Sequence, residues 1–175
     1  LINRVSKKAL IGETFTNINV GFDSFGAGDF AVDGNIEVND SAAFRLMVHS
    51  DSLANHRDQY DGDRFGINPT MTFAVNSQTE IGLSFEYLDH ERYIDRGIPT
   101  SIIGGASTSA SRPVDALNHI TYGTDGNVHT TEASILTGTL VHNYSDSGKI
   151  NLTVSSNDFN KMYQNLYVNK YDGTN

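Results

Sequence analysis

Apolar and polar residues alternate with a period of two along most of this chain, which is the spacing of a half-buried β-strand and not of a helix. From Phe30 to Val38, the residues Phe30, Val32, Gly34, Ile36 and Val38 share one face, while Ala31, Asp33, Asn35 and Glu37 share the other. From Phe44 to Asp51, Phe44, Leu46 and Val48 oppose Arg45, Met47, His49 and Asp51, so the wet face carries charges and an imidazole. Phe65, Ile67, Met71, Phe73 and Val75 oppose Gly66, Asn68, Thr70 and Thr72; Ile81, Leu83, Phe85 and Tyr87 oppose Gly82, Ser84 and Glu86; Ile18, Val20 and Phe22 oppose Asn17, Asn19 and Asp23. Two further strands are expected at roughly Ser134 to Tyr144 and Ile150 to Tyr167, the latter opening with Ile150, Leu152 and Val154 on one side. The alternation fades after Ser155, which predicts a bulge or a strand end there.

The connections alternate in length. Val38-Asn39-Asp40-Ser41, Asn76-Ser77-Gln78-Thr79 and Ser145-Asp146-Ser147-Gly148 are tight polar turns suited to antiparallel hairpins. Between them lie a short link at Phe25 to Asp29, a longer one from Ala54 to Gly62, and one of about 36 residues from Asp95 to Thr130. Tight turns on one side and long loops on the other describe a transmembrane β-barrel, and stretches of ~9–11 alternating residues suffice to cross the hydrocarbon at a steep tilt. Phe15, Phe22, Phe65, Phe73, Phe85, Tyr87 and Tyr144 then read as interfacial girdle aromatics. The expected fold is all-β: an antiparallel meander of about seven strands, part of a larger closed barrel and open in this piece. A soluble β-sandwich that buries the same apolar residues under a second sheet is the alternative.

Composition narrows the function. The chain has 175 residues and no cysteine, which removes disulfides and thiolate metal sites. Twelve basic residues against 21 acidic ones give a formal charge of −9, which disfavours nucleic acid as a partner. Apolar runs such as Leu46-Met47-Val48 are far shorter than the ~20 residues of a membrane-spanning helix. A chain that opens on Leu1 and stops in Tyr171-Asp172-Gly173-Thr174-Asn175 reads as an internal piece of a longer protein, with no signal peptide in it.

Four stretches resemble landmarks of TonB-dependent outer-membrane receptors. Leu1-Ile2-Asn3-Arg4-Val5-Ser6-Lys7-Lys8 resembles the segment that ends the plug domain and hands the chain to the first barrel strand. Asp63-Arg64-Phe65-Gly66-Ile67-Asn68-Pro69-Thr70 is similar to an early-barrel segment built on Arg-Tyr-Gly-Ile-Asn-Pro. Phe85-Glu86-Tyr87 with Asp95-Arg96-Gly97-Ile98-Pro99 resembles the Tyr-Glu-Tyr strand and Asp-Arg-Gly-Ile-Pro loop of the siderophore-receptor subgroup, and Tyr163-Gln164-Asn165-Leu166-Tyr167 a later strand end. The resemblance implies a 22-stranded barrel with an internal plug, embedded in the lipid of a bacterial outer membrane. It implies uptake of ferric siderophores without enzymatic chemistry. The TonB-ExbB-ExbD complex would act through a plug that this chain lacks. Residues 1–12 would end the plug and linker, and 13–175 would supply the first strands with the long loop 95–130. Iron would arrive as the ferric siderophore, with no cofactor held by the chain itself.

Ligand contacts are expected on the lumen face near the outer rim and in the long loops. That nominates His49, Asp51, Tyr60, Arg64, Arg92, Asp95, Arg96 and Tyr122: arginines could pair with siderophore carboxylates or hydroxamates, and tyrosines could cover their apolar parts. The barrel-lumen expectation favours, for each, an inward charge bonded to the plug or to a cross-strand neighbour. Asp95 to Pro99 has a structural reading of its own, because glycine followed by a residue before proline makes a turn and then an extended dipeptide.

Other constellations carry little. Asp89-His90-Glu91 cannot converge on one metal ion, since successive strand residues point to opposite faces. Gly26-Ala27-Gly28 lacks the third glycine and the helix of a nucleotide loop. Asp58 with Tyr60-Asp61-Gly62-Asp63 lacks the closing glutamate of a calcium loop. Asn151-Leu152-Thr153 is a glycosylation sequon in spelling only, and a Ser-His-Asp triad can be assembled from any chain this rich in Ser and Asp. A binding module on a β-sandwich and an enzyme-bearing outer-membrane barrel remain the competing function classes.

Overall fold

A computed structural model describes residues 6–98, 100–101, 112–113, 118–121 and 123–166. The strands are β1 (Phe15–Phe22), β2 (Gly28–Asn39), β3 (Ala42–Ala54), β4 (Asp61–Asn76), β5 (Thr79–Tyr93), β6 (Thr100–Ser101), β7 (Arg112–Pro113), β8 (Val128–Ser145) and β9 (Gly148–Gln164). Seven of them make one sheet in the order β1-β2-β3-β4-β5-β8-β9, each antiparallel to its neighbour. β6 and β7 pair as a two-residue ladder inside the β5–β8 link. The sheet is an open meander with β1 and β9 at its edges, and no helix forms among the described residues.

Three two-residue turns, Asp40-Ser41, Ser77-Gln78 and Asp146-Ser147, close one end, here the turn end. Each hairpin shifts register just before its turn, between Glu37 and Asn39, Ala74 and Asn76, and Asn143 and Ser145. The extra residue is a β-bulge, which adds local twist and lets a short turn join strands that would otherwise splay. Asn39 and Asn76 each accept the backbone N–H two residues on, from Ser41 at 2.8 Å and from Gln78 at 2.9 Å. The longer links lie at the opposite, loop end, together with the short one between Phe22 and Gly28.

The register assigns every side chain to a face. Ile18, Phe30, Val32, Ile36, Phe44, Leu46, Val48, Phe65, Ile67, Met71, Phe85, Leu136, Leu140, Leu152 and Val154 fall on one face. Many are exposed, among them Ile18, Ile36, Leu136 and Val154. No second sheet covers them among the described residues, so the sandwich alternative is not favoured. Asp33, Glu37, Arg45 and His49 fall on the other face, as alternation predicts. Phe15 departs from expectation: it pairs with Asn35 on the polar face, with the Arg45 guanidinium 5.2 Å from its ring centroid.

β8 and β9 are longer than their alternation suggests. β8 begins at Val128 and not near Ser134, and the β8–β9 register runs unbroken from Asn143 opposite Lys149 to Val128 opposite Gln164. The bulge expected after Ser155 is absent. The pattern fades because the strands climb past the apolar band: beyond Leu136, the apolar-side positions are Ser134, Glu132, Ser156 and Asp158.

Pro69 stands inside β4, where its missing N–H breaks the ladder to β5 between Ile67 and Thr70. The neighbouring Asn68 side chain restores a donor, its Nδ2 donating to the Phe85 carbonyl at 2.7 Å.

The most buried part is not between two sheets. It lies where residues 7–13 cross the polar face at the turn end. Asn35 is fully buried; its Oδ1 accepts from Leu10 N–H at 2.9 Å, and its Nδ2 donates to the carbonyls of Leu10 at 2.9 Å and Glu13 at 2.6 Å. Thr72 donates to the Ala9 carbonyl at 2.8 Å, and Arg45 Nη1 donates to the Lys8 carbonyl at 3.0 Å. The rest of the Arg45 fork makes two 2.6 Å bonds to Asp33, which Lys7 also reaches at 2.7 Å. Side chains thus satisfy a length of backbone that belongs to no ladder.

Candidate functional site

The polar face changes character toward the loop end. Reading across the strands, one tier runs Asp29, Asp51, Arg64, His90, Thr131, Lys161, and the tier above it Leu53, Gly62, Arg92, His129, Tyr163. Charge therefore passes from acidic at β2 and β3 to basic at β4, β5 and β9. The His90 and His129 rings meet edge to face with centroids 5.8 Å apart, and His129 lies 5.9 Å from the Tyr163 ring. Thr131 Oγ1 lies 3.0 Å from His129 Nε2. Lys161 is exposed, and Tyr163 is 54% exposed. The result is a row of rings flanked by Arg64, Arg92 and Lys161, suited to a flat anionic ligand.

Of the eight nominated residues, four share this face: His49, Asp51, Arg64 and Arg92. Arg64 Nε donates to Asp51 Oδ2 at 2.6 Å, so these two form the cross-strand pair of the structural reading. The His49 ring lies in the space that a side chain at Gly66 would fill, which is why glycine stands opposite it. Tyr60 is in the β3–β4 link, partly buried, its N–H donating to the Arg57 carbonyl at 3.2 Å.

Asp95 follows β5 and faces Arg57, with Nε to Oδ2 at 3.2 Å, off the angle of a hydrogen bond. Its Oδ1 accepts the Gly97 N–H at 2.8 Å, and Gly97 takes φ +75°, so the motif is built as a turn. Arg96 is exposed beside it, and Tyr122 and Pro99 lie outside the described residues.

Sequence reasoning missed His129, Lys161 and Tyr163 as site residues and used His90 only to discount a metal. Asp89 and Glu91 do fall on the face opposite to His90. The missing signal was register: past the bulge at the turn, counting back from Asn143 opposite Lys149 sets His129 opposite Tyr163 and Thr131 opposite Lys161.

The chain is 28% identical over 173 residues to the probable TonB-dependent siderophore receptor PiuA of Acinetobacter baumannii, covering 95% of this chain and 22% of that protein. It is 27% identical over 130 residues to the catecholate siderophore receptor Fiu of Escherichia coli K12, covering 70% of this chain and 17% of Fiu. The fold superposes on the crystal structure of PiuA with a TM-score of 0.74 at 25% identity, over 88% of this chain and 23% of that one. The likeness is to TonB-dependent siderophore receptors, in sequence and fold alike. The crystal structures of the ferric-catecholate import receptor Fiu give TM-scores of 0.77 for the closed form and 0.78 for the open form, each at 20% identity over 90% of this chain. The chain spans 17% to 22% of the length of these curated relatives. No family model matches it.

Proposed function

We propose that this chain is part of an outer-membrane TonB-dependent receptor for the uptake of ferric siderophores. Residues 1–12 are the end of the plug and linker, and 13–175 the first strands of the barrel. The apolar face meets lipid, the polar face lines the lumen, and the loop end faces outward. One observation carries this reading: a single-layer sheet leaves its apolar face uncovered, while the segment entering β1 is bonded to the polar face. A bilayer covers such a face, and further strands pair the two edges.

The receptor is not an enzyme in this reading. Iron is cargo, bound inside the siderophore, and TonB-ExbB-ExbD supplies the drive through the plug. One relative, Fiu, is named for catecholate siderophores, whose ferric complexes are anionic and aromatic. The rings of His90, His129 and Tyr163 with Arg64, Arg92 and Lys161 supply the matching chemistry.

Single cysteines in the full-length receptor in outer membranes test the topology. A water-soluble maleimide should label position 33 or 49 once the lumen is opened, and leave 32, 46 and 48 unlabelled. Ready labelling of that second set would defeat the proposal. Uptake of radiolabelled iron as a ferric catecholate, dependent on this gene product and on TonB, tests the transport itself.

A further inference from the structure

Arg57 lies in the β3–β4 link, three positions before the nominated Tyr60, and its side chain is only 7% exposed. It meets two other stretches of chain at once. Its Nε faces Asp95 at 3.2 Å, just past the end of β5, and its Nη1 donates to the Ile120 carbonyl at 2.9 Å, on the limb returning to β8. The neighbouring backbone repeats the contact: Asp58 N–H donates to the His119 carbonyl at 2.8 Å, and Gln59 N–H to Thr121 Oγ1 at 3.3 Å. The Ile94 N–H donates to the Asn127 carbonyl at 2.8 Å, tying the end of β5 to the start of β8.

We infer that Arg57 is a positioning residue for the loop-end tier of the polar face. Asp95 stands three positions beyond Arg92, and Asn127 two positions before His129. A guanidinium that grips both limbs at a single point fixes the ends of the two strands that present Arg92 and His129. A planar fork faces a carboxylate on one side and donates to a carbonyl on another at a fixed spread; the lysine ammonium is a point charge and lacks that spread. Without Arg57, the Asp95 carboxylate loses its counter-charge and the Ile120 carbonyl loses its donor, so the two links part and the tier loosens. The effect on ligand capture rests on the uptake reading above; the effect on loop spacing does not.

The test uses the full-length receptor in outer membranes. Spin labels on Asp61→Cys and Thr124→Cys report the spacing of the links, and a synthetic ferric tris-catecholate reports capture. Arg57→Ala should broaden the label-to-label distance distribution and raise the half-saturating chelate concentration about threefold to tenfold. The saturating uptake rate and the heat-resistant migration of the folded barrel should stay unchanged. Asp95→Asn should reproduce the effect in part and should add little to Arg57→Ala, because the Arg57–Asp95 contact it removes is already lost there. It also serves if Arg57→Ala fails to fold. An unaltered distance distribution in both variants would overturn the inference, as would a fall in saturating rate with no change in half-saturation. If the parent receptor takes up no chelate, the uptake reading fails and the spin-label arm still decides the strut.

Discussion

The two ends of the polar face both carry polar and charged side chains, yet they treat them in opposite ways. At the turn end, Asn35, Arg45 and Thr72 are buried, and the backbone of residues 8–13 takes up their hydrogen bonds. At the loop end the partners are other side chains: Arg64 donates to Asp51, and the imidazoles touch each other and the tyrosine ring. What differs is the presence of a peptide segment to answer them. Polar groups answered from within hold a structure together, whereas polar groups left open can answer something that arrives.

The contrast breaks most visibly if the closed end is opened. Replacing Asn35 with Ala in the full-length receptor removes three hydrogen bonds and strands their backbone partners, at a cost of about 3 kcal/mol. Urea unfolding in lipid vesicles should show that loss; a midpoint that does not move would mean that the segment is held by something else. At the open end the sign of the experiment reverses. Arg92→Ala combined with Lys161→Ala should leave unfolding within ~0.5 kcal/mol of the parent while raising half-saturation for a ferric catecholate about tenfold. A matched loss of stability would erase the distinction between the two ends.

Smaller effects sharpen it. Asn68→Ala withdraws the donor that stands in for Pro69 and leaves the Phe85 carbonyl bare, a cost of about 1–2 kcal/mol. Restoring the ladder with Pro69→Thr in the same chain should return most of that, read by the same unfolding curve. Arg64→Ala should cost about 1 kcal/mol, because it leaves the Asp51 carboxylate, 12% exposed, without its donor, while the 45% exposure of the arginine keeps the loss small.

Much of this was legible in the chain because two-fold alternation and turn chemistry are local. The three tight turns and the faces of β2 to β5 follow from neighbouring residues alone, down to Asp33 and Arg45 sharing the wet side. The upper parts of β8 and β9 were harder, because a strand that rises above the apolar band loses the contrast that reveals it. Thr130, Thr131 and Glu132 look like loop residues until their register with β5 is fixed. Arg57 and Asn35 were illegible for another reason: their partners lie more than 20 positions away in irregular chain, where no period points to them. Phe15 misled because an aromatic near a strand end suits a girdle as well as a cation, and only pairing with Asn35 decides.

The two rims also differ in what they can accept. At the bulged hairpins, the register shift sits immediately beside the two turning residues, so an added peptide there would have to break the pairing on both sides. The wider connections carry no such constraint at their tips. An epitope tag grafted after Gly105, in the Gly- and Ser-rich stretch of the longest link, should therefore be tolerated and be read by antibody on intact cells, whereas the same graft between Ser77 and Gln78 should abolish assembly of the receptor.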